Sequence, residues 1–269
     1  MDIATVDGVE LEYEVVGSGE PVLLISPVLA DGFVPLMAAP DLTERYRLIR
    51  YHRRGWCGST HTTAPVTVTD HAADAAALLE HLGLRRSHVA GHSTGAVLAV
   101  QLSLDSPAAV RTLTLLEPLM LSVPGGETVL QQVGPAFEAY GAGDHEAAWA
   151  VFLSAATGLD WPACRALLEQ RIPGVVAQAV KDADTLFGVE LPGVAEWTFD
   201  AEQAAAIRCP VLSVVGGNTL PLFTEVAAFL RSSVPHLEEV TIDDVGHLLH
   251  IQRAEPVARA MTGFLSRAG

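Results

Sequence analysis

An α/β fold with a mostly parallel, doubly covered sheet and a helical insertion is the architecture this sequence predicts, on three observations. Apolar, β-rich runs alternate with helical segments up to about Glu117. From Pro118 to about Ile207 the alternation gives way to helical pieces broken by Pro-Gly turns. It resumes at Pro210 and runs to the last helix. The 269 residues, 49% of them hydrophobic, are enough to bury the core of one such domain. The expected division is an α/β core formed by 1–118 and 208–269, with an inserted helical segment at 119–207.

Each element has its own local reason. Val9 to Val16 and Pro21 to Ser26 are β-rich and separated by Gly17-Ser18-Gly19, so a hairpin-like pair is expected there. A helix near Phe33 to Ala39 precedes a third strand, Tyr46 to Tyr51. Asp70 to Leu82 is rich in Ala and Leu, opens on a good capping residue and stops at Gly83, all helix signals. The short apolar run Ser87 to Ala90 leads through Gly91-His92-Ser93-Thr94-Gly95 into a buried helix, Ala96 to Leu104. Val110 to Glu117 is another apolar strand. In the insertion, Val123-Pro124-Gly125-Gly126, Ile172-Pro173-Gly174 and Leu191-Pro192-Gly193 are expected breaks. A strand at Pro210, a helix near Phe223 to Ser232 and a strand at Leu237 to Ile242 follow. The last helix repeats Val257, Met261, Phe264 and Leu265 at helical spacing, a face made to lie on the sheet.

Composition narrows the function. Sixteen Lys and Arg against 32 Asp and Glu leave a formal charge of −16, which disfavours nucleic acid and anionic membranes as partners. No apolar stretch approaches the roughly 20 residues of a membrane span, and the N-terminus lacks the basic-then-apolar pattern of a secretory signal. Cys57, Cys164 and Cys209 are odd in number and far apart, as expected of free thiols in a reducing compartment, so a cytoplasmic location is expected. No G-x-G-x-x-G or phosphate-binding G-x-x-x-x-G-K-[ST] follows the first strand, which argues against a nucleotide-binding protein.

Chemistry concentrates in three places. In the pentapeptide at 91–95 a serine stands on the turn between a strand and a helix, with flanking glycines that let the two approach closely. A serine hydroxyl needs a base to become a nucleophile, and the base needs a third group to orient it. His247, in Asp243-Asp244-Val245-Gly246-His247, falls on the loop after the last strand, at the same sheet edge as Ser93. Glu117 ends an otherwise apolar strand at that edge.

On the Gly-His-Ser-Thr-Gly turn, the loop Tyr51-His52-Arg53-Arg54-Gly55-Trp56-Cys57-Gly58-Ser59 and the Gly246-His247 loop, the chain resembles the α/β-hydrolase superfamily, specifically its small capped serine hydrolases. The resemblance implies Ser93 as nucleophile, His247 as base, an insertion that caps the site, and no metal or organic cofactor. Relatives commonly place the acid in a G-x-x-D motif after the strand at Pro210, where this chain reads Gly216-Gly217-Asn218-Thr219. Some, including fungal zearalenone lactonases, take it from the earlier strand, which implies Glu117 here and keeps the order nucleophile, acid, base. Asp243 and Asp244 are weaker rivals, because their side chains would have to fold back along the histidine's own loop.

The resemblance also implies two backbone donors for an oxyanion. One is the N–H of Thr94; the other, on the loop after Pro21–Ser26, is assigned to Val28, because Pro27 has no N–H. Leu29, His92 and Trp197 are expected pocket residues, Trp56 and Trp161 less so, and His52, which replaces the family's aspartate, is read as structural. The expected activity is cleavage of a small, apolar ester or lactone through an acyl-enzyme. Ser93 in place of a carboxylate argues against epoxide hydrolases and haloalkane dehalogenases. A cofactor-free haloperoxidase or lyase using the same triad, and a non-catalytic small-molecule binder, remain the alternatives.

Overall fold

A computed structural model describes residues 1–268. It contains one eight-stranded sheet in the order β1-β2-β4-β3-β5-β6-β7-β8. The strands are β1 (Asp2–Val6), β2 (Val9–Val16), β3 (Glu20–Ile25), β4 (Tyr46–Tyr51), β5 (Ser87–His92), β6 (Val110–Leu116), β7 (Val211–Gly216) and β8 (Leu237–Ile242). From β4 through β8 every neighbouring pair is parallel, and β1 and β2 close one edge antiparallel.

Helices cover both faces. On one lie α1 (Val34–Met37), α2 (Pro40–Thr43) and the C-terminal α13 (Ala254–Leu265); on the other, α3 (Val68–His81), α4 (Thr94–Asp105) and α11 (Pro221–Ser233). The central strand β3 shows how period-2 side chains fill both layers. Val22 and Leu24 join the cluster containing Leu36, Met261 and Phe264, whereas Leu23 and Ile25 join the one containing Leu78, Val97 and Val226. Such a strand must be apolar throughout, as parallel strands covered on both faces are.

The segment between β6 and β7 carries α5 (Gly125–Gly141), α6 (His145–Thr157), α7 (Trp161–Arg171), α8 (Val175–Lys181), a π-helix (Asp184–Glu190), α9 (Leu191–Glu196) and α10 (Ala201–Ala206). Its core is separate from the two sheet layers and centres on Trp149, Phe152, Leu186 and Phe187. A last short helix, α12 (Leu249–Gln252), precedes α13.

Three local expectations differ from the structure. The hairpin at the N-terminus is formed by β1 and β2, with Ala4 opposite Leu11, and β2 and β3 do not pair. Gly17 and Gly19 have φ of 81° and 114°, and a Cβ on either would lie 2.4 Å from the Tyr46 or Arg45 carbonyl oxygen. The turn therefore passes tightly beside the start of β4 and delivers the fully apolar β3 to the centre of the sheet. Leu191-Pro192-Gly193 is the first turn of α9, which continues directly from the π-helix and is not a break in the chain. Helix α3 begins at Val68, earlier than Asp70, because Thr67 is the N-cap and Asp70 is the reciprocal member of a capping box. Thr67→Ala is expected to lower stability by about 1 kcal/mol, read as a shift in the urea midpoint.

Candidate active site

The turn at the end of β5 is possible only with small residues around Ser93. Ser93 is the N-cap of α4 with φ 54° and ψ −118°, in a region that bulky residues avoid. A Cβ on Gly91 would lie 2.3 Å from the Gly95 carbonyl oxygen, and one on Gly95 would lie 2.1 Å from the Ile25 carbonyl oxygen. The glycines thus let α4 fold back over β5 and sit against the end of β3. Ser93 is the tip of that turn and is only 7% exposed.

One strand over, Glu117 follows β6 and is also left-handed, with φ 42°. Its carboxylate is 1% exposed and accepts three hydrogen bonds. His247 Nδ1 stands 2.7 Å from Oε2, the Thr219 hydroxyl donates to Oε2 at 2.9 Å, and the Gly216 N–H donates to Oε1 at 2.7 Å. With three donors a buried carboxylate is fully satisfied as an anion. The network assigns the Nδ1–H tautomer to His247, leaving Nε2 as its free lone pair. Asn218 turns its N–H to the Val245 carbonyl, and Thr219, in the tetrapeptide where relatives carry the acid, serves Glu117 instead.

His247 is stacked on Phe223, with centroids 4.0 Å apart and planes within 9°. His92 packs on it at 4.5 Å and donates from Nε2 to the His247 backbone carbonyl at 2.8 Å. His250 in turn lies 3.9 Å from His92 and 5.3 Å from Phe33, fully buried, with neither ring nitrogen bonded within the protein. Burial, reinforced by its histidine neighbours, holds His92 well below the usual imidazole range, and burial followed by His247 brings His250 down to about 3. Both rings are therefore neutral at ordinary pH.

Ser93 and His247 line one cavity, walled mainly by aliphatic and aromatic groups such as Leu119, Phe152, Leu153, Leu220 and Phe223. No hydrogen bond joins the Ser93 hydroxyl to His247 among the described residues, a contact that unliganded hydrolytic sites often complete only on binding substrate. Val28, Leu29 and His92 line the same cavity. Thr94 opens α4 directly after Ser93, so its N–H is one of the unpaired donors of a helix N-terminus. Asp243 and Asp244 make no hydrogen bond to His247; Asp244 faces Arg253 at 3.9 Å.

Trp197 is a correction. It lies outside the cavity, stacked within 8° on Phe199, with its indole N–H given to Gln101 of α4 at 2.8 Å. Its amphipathic ring packs partly buried against the core beside α4 and lines a separate surface pocket with Gln101 and Glu196. Trp56 and Trp161 are also outside this cavity. His52 bridges Glu12 and Asp31 at 2.8 and 3.0 Å, a structural tie across the first strands. Sequence reading missed His250 and Phe223; His250 stands three residues after His247, a spacing that places two side chains on one side of a helical turn. Among the described residues no group of three or more His, Cys, Asp or Glu could hold a metal ion, and no helix is long and apolar enough to cross a membrane.

Comparison with known proteins agrees with the fold. A model of the alpha/beta hydrolase fold matches residues 21–254. A provisionally named carbamate hydrolase, RutD, of Enterobacter cloacae is 26% identical over 242 residues, covering 88% of each chain. The RutD of Azorhizobium caulinodans is 32% identical over 106 residues, so the aligned part spans only 40% of that relative and 39% of this chain. Among solved structures, the enol-lactonase of Burkholderia xenovorans LB400 superposes with a TM-score of 0.80 over 98% of this chain and 100% of its own, at 19% identity.

Proposed function

Because the chain belongs to the alpha/beta hydrolase fold family, we propose that it is a serine hydrolase acting on a carboxylic ester or lactone of a small, apolar molecule. The observation that carries this reading is the 2.7 Å contact between Glu117 and His247 Nδ1, made where His247 and Ser93 face one apolar cavity. His247 Nε2 takes the Ser93 proton as Oγ attacks the carbonyl carbon. The N–H groups of Val28 and Thr94 hold the oxyanion, and the imidazolium returns the proton to the leaving oxygen. Water, deprotonated by His247, then attacks the acyl-serine and releases the acid. Glu117 orients the ring through Nδ1–H and stabilises the imidazolium.

Backbone strain supports the same assignment. Of the six non-glycine residues with positive φ among the described residues, two are the proposed nucleophile and acid. Strain of this kind persists only where the surroundings enforce it and clusters at functional sites.

The cavity chemistry bears on the substrate. No Lys or Arg lines it, and its buried histidines His92 and His250 are held neutral, so an anionic substrate would lose its hydration without a counter-charge. A neutral ester or lactone meets no such cost. The full-length similarity to RutD favours a second reading, a carbamate, in which the same serine attacks a less electrophilic carbonyl.

A fluorophosphonate probe separates catalysis from mere binding. It is expected to label the wild-type protein on Ser93 and to leave Ser93→Ala unlabelled. Equal labelling of both, or none of either, rejects the serine-hydrolase reading. Hydrolysis rates on neutral esters, lactones and carbamates of matched size then rank the two substrate classes.

A further inference from the structure

Arg53 is 2% exposed, and its guanidinium ties three parts of the chain together. From Nη1 it donates to the Ser26 carbonyl and, at 3.0 Å, to the Pro27 carbonyl, both on the loop after β3. From Nη2 it donates to the two oxygens of Glu190 at 2.7 and 2.6 Å, and Nε adds a longer bond at 3.3 Å. Glu190 is the last residue of the π-helix in the insertion, 1% exposed, and also accepts the Trp56 indole N–H at 2.8 Å. A buried ion pair is a costly way to hold a fold together, since apolar residues of similar volume often do as well. Its retention here invites a geometric explanation.

The peptide bond supplies one. All peptide bonds among the described residues are trans, so the Pro27 carbonyl and the Val28 N–H lie in one rigid plane and point from its opposite edges in opposite directions. Arg53 holds the carbonyl on its own side, and the N–H must then face the other way. Val28 N–H has no partner within the protein among the described residues, and Pro27, Val28 and Leu29 line the Ser93 cavity. If this plane rotated, the carbonyl oxygen would replace the N–H, and an oxyanion would meet an acceptor where it needs a donor.

We infer that Arg53 is a positioning residue for the oxyanion hole: anchored by Glu190 from the insertion, it locks the Pro27–Val28 peptide with the Val28 N–H toward Ser93. Only a guanidinium has the fork that grips two carbonyl oxygens with one arm and a carboxylate with the other. A lysine at 53 could neutralise Glu190 but could not hold both partners. The inference rests on the proposed role of Ser93 as nucleophile and of Val28 N–H as oxyanion donor.

The test uses Arg53→Lys, Arg53→Met and Glu190→Gln with p-nitrophenyl butyrate, butaneboronic acid and butan-1-ol. The boronate forms a tetrahedral adduct on the serine and needs the oxyanion donors; the alcohol fills the cavity without needing them. Wild type must first show Ser93-dependent hydrolysis, and if it does not, the functional reading fails rather than this one. In the variants kcat is expected to fall roughly 10- to 100-fold with KM within about threefold, short of the loss seen when an oxyanion donor is deleted outright. Boronate affinity should fall in proportion, and inhibition by butan-1-ol should be unchanged. Glu190→Gln keeps the side-chain volume and one acceptor, so it carries the test if Arg53→Met fails to fold. Folded variants that keep wild-type kcat and boronate affinity overturn the inference. So does a parallel loss of boronate and alcohol binding, which would mark general collapse of the cavity.

Discussion

Glu117→Gln lowers kcat about 10³- to 10⁴-fold in a protein that stays folded, on the precedent of removing the acid's charge from a serine triad. Glu117 receives hydrogen from three directions, the Gly216 N–H, the Thr219 hydroxyl and His247 Nδ1. A glutamine has one accepting oxygen and one donating NH2. Gly216 cannot reverse its N–H, so the oxygen turns to it and the NH2 faces Thr219 and His247. The threonine hydroxyl can rotate to accept, but the imidazole can accept only by moving its proton to Nε2. That is the nitrogen needed free to take the Ser93 proton. The stability cost should be modest, about 1–3 kcal/mol for one ill-paired buried group. Steady-state rates on a neutral ester, beside the melting curve, check both parts; a folded variant within about threefold of wild-type kcat sinks the assignment of the acid.

Acid unfolding is the second large expected effect, and its source is three buried histidines. Burial pushes His71 down to about 4 and His250 to about 3, and it holds His92 well below the ordinary 6.5. Folded, each ring stays neutral; unfolded, each takes up a proton below pH 6.5. Their contribution is therefore complete above about pH 6.5 and is lost as pH falls toward the folded values. At pH 4.5 His71 and His250 should each have removed on the order of 2 kcal/mol, with His92 acting in the same direction. His250→Phe isolates one of them, because that ring makes no hydrogen bond and already lies between His92 and Phe33. Urea unfolding at pH 7 and 4.5 should show a smaller loss for the variant than for wild type. Equal losses would mean that His250 does not titrate between the folded and unfolded states.

Much of the site was legible because its parts are local exceptions to pattern. A glutamate ending the apolar run Val110 to Leu116, a serine between two glycines, and a histidine just past the last strand each stand out from their surroundings. Parallel strands then bring their C-terminal ends to one edge, so residues 93, 117 and 247 fall at the same edge without further information. What could not be read depends on distance in the chain or on relief rather than pattern. Arg53 and Glu190 are 137 residues apart and neither breaks a local rule. The N-terminal pairing misled because β2 and β3 look like a hairpin, whereas the close passage of Gly17 and Gly19 beside β4 appears only in three dimensions. Trp197 had the composition of a pocket residue, but its place was decided by Gln101 on a helix nearly a hundred positions earlier.

The packing around His247 also limits how its ring can move. Phe223 lies flat on one face of the ring at 4.0 Å, and His92, at 4.5 Å, can fit only over the other. Glu117 fastens the edge between them. A ring gripped on both faces and one edge can rock but cannot tumble, so its free nitrogen sweeps a narrow arc. In the proposed reaction the seryl oxygen, the departing alcohol and the incoming water must each come within that arc in turn.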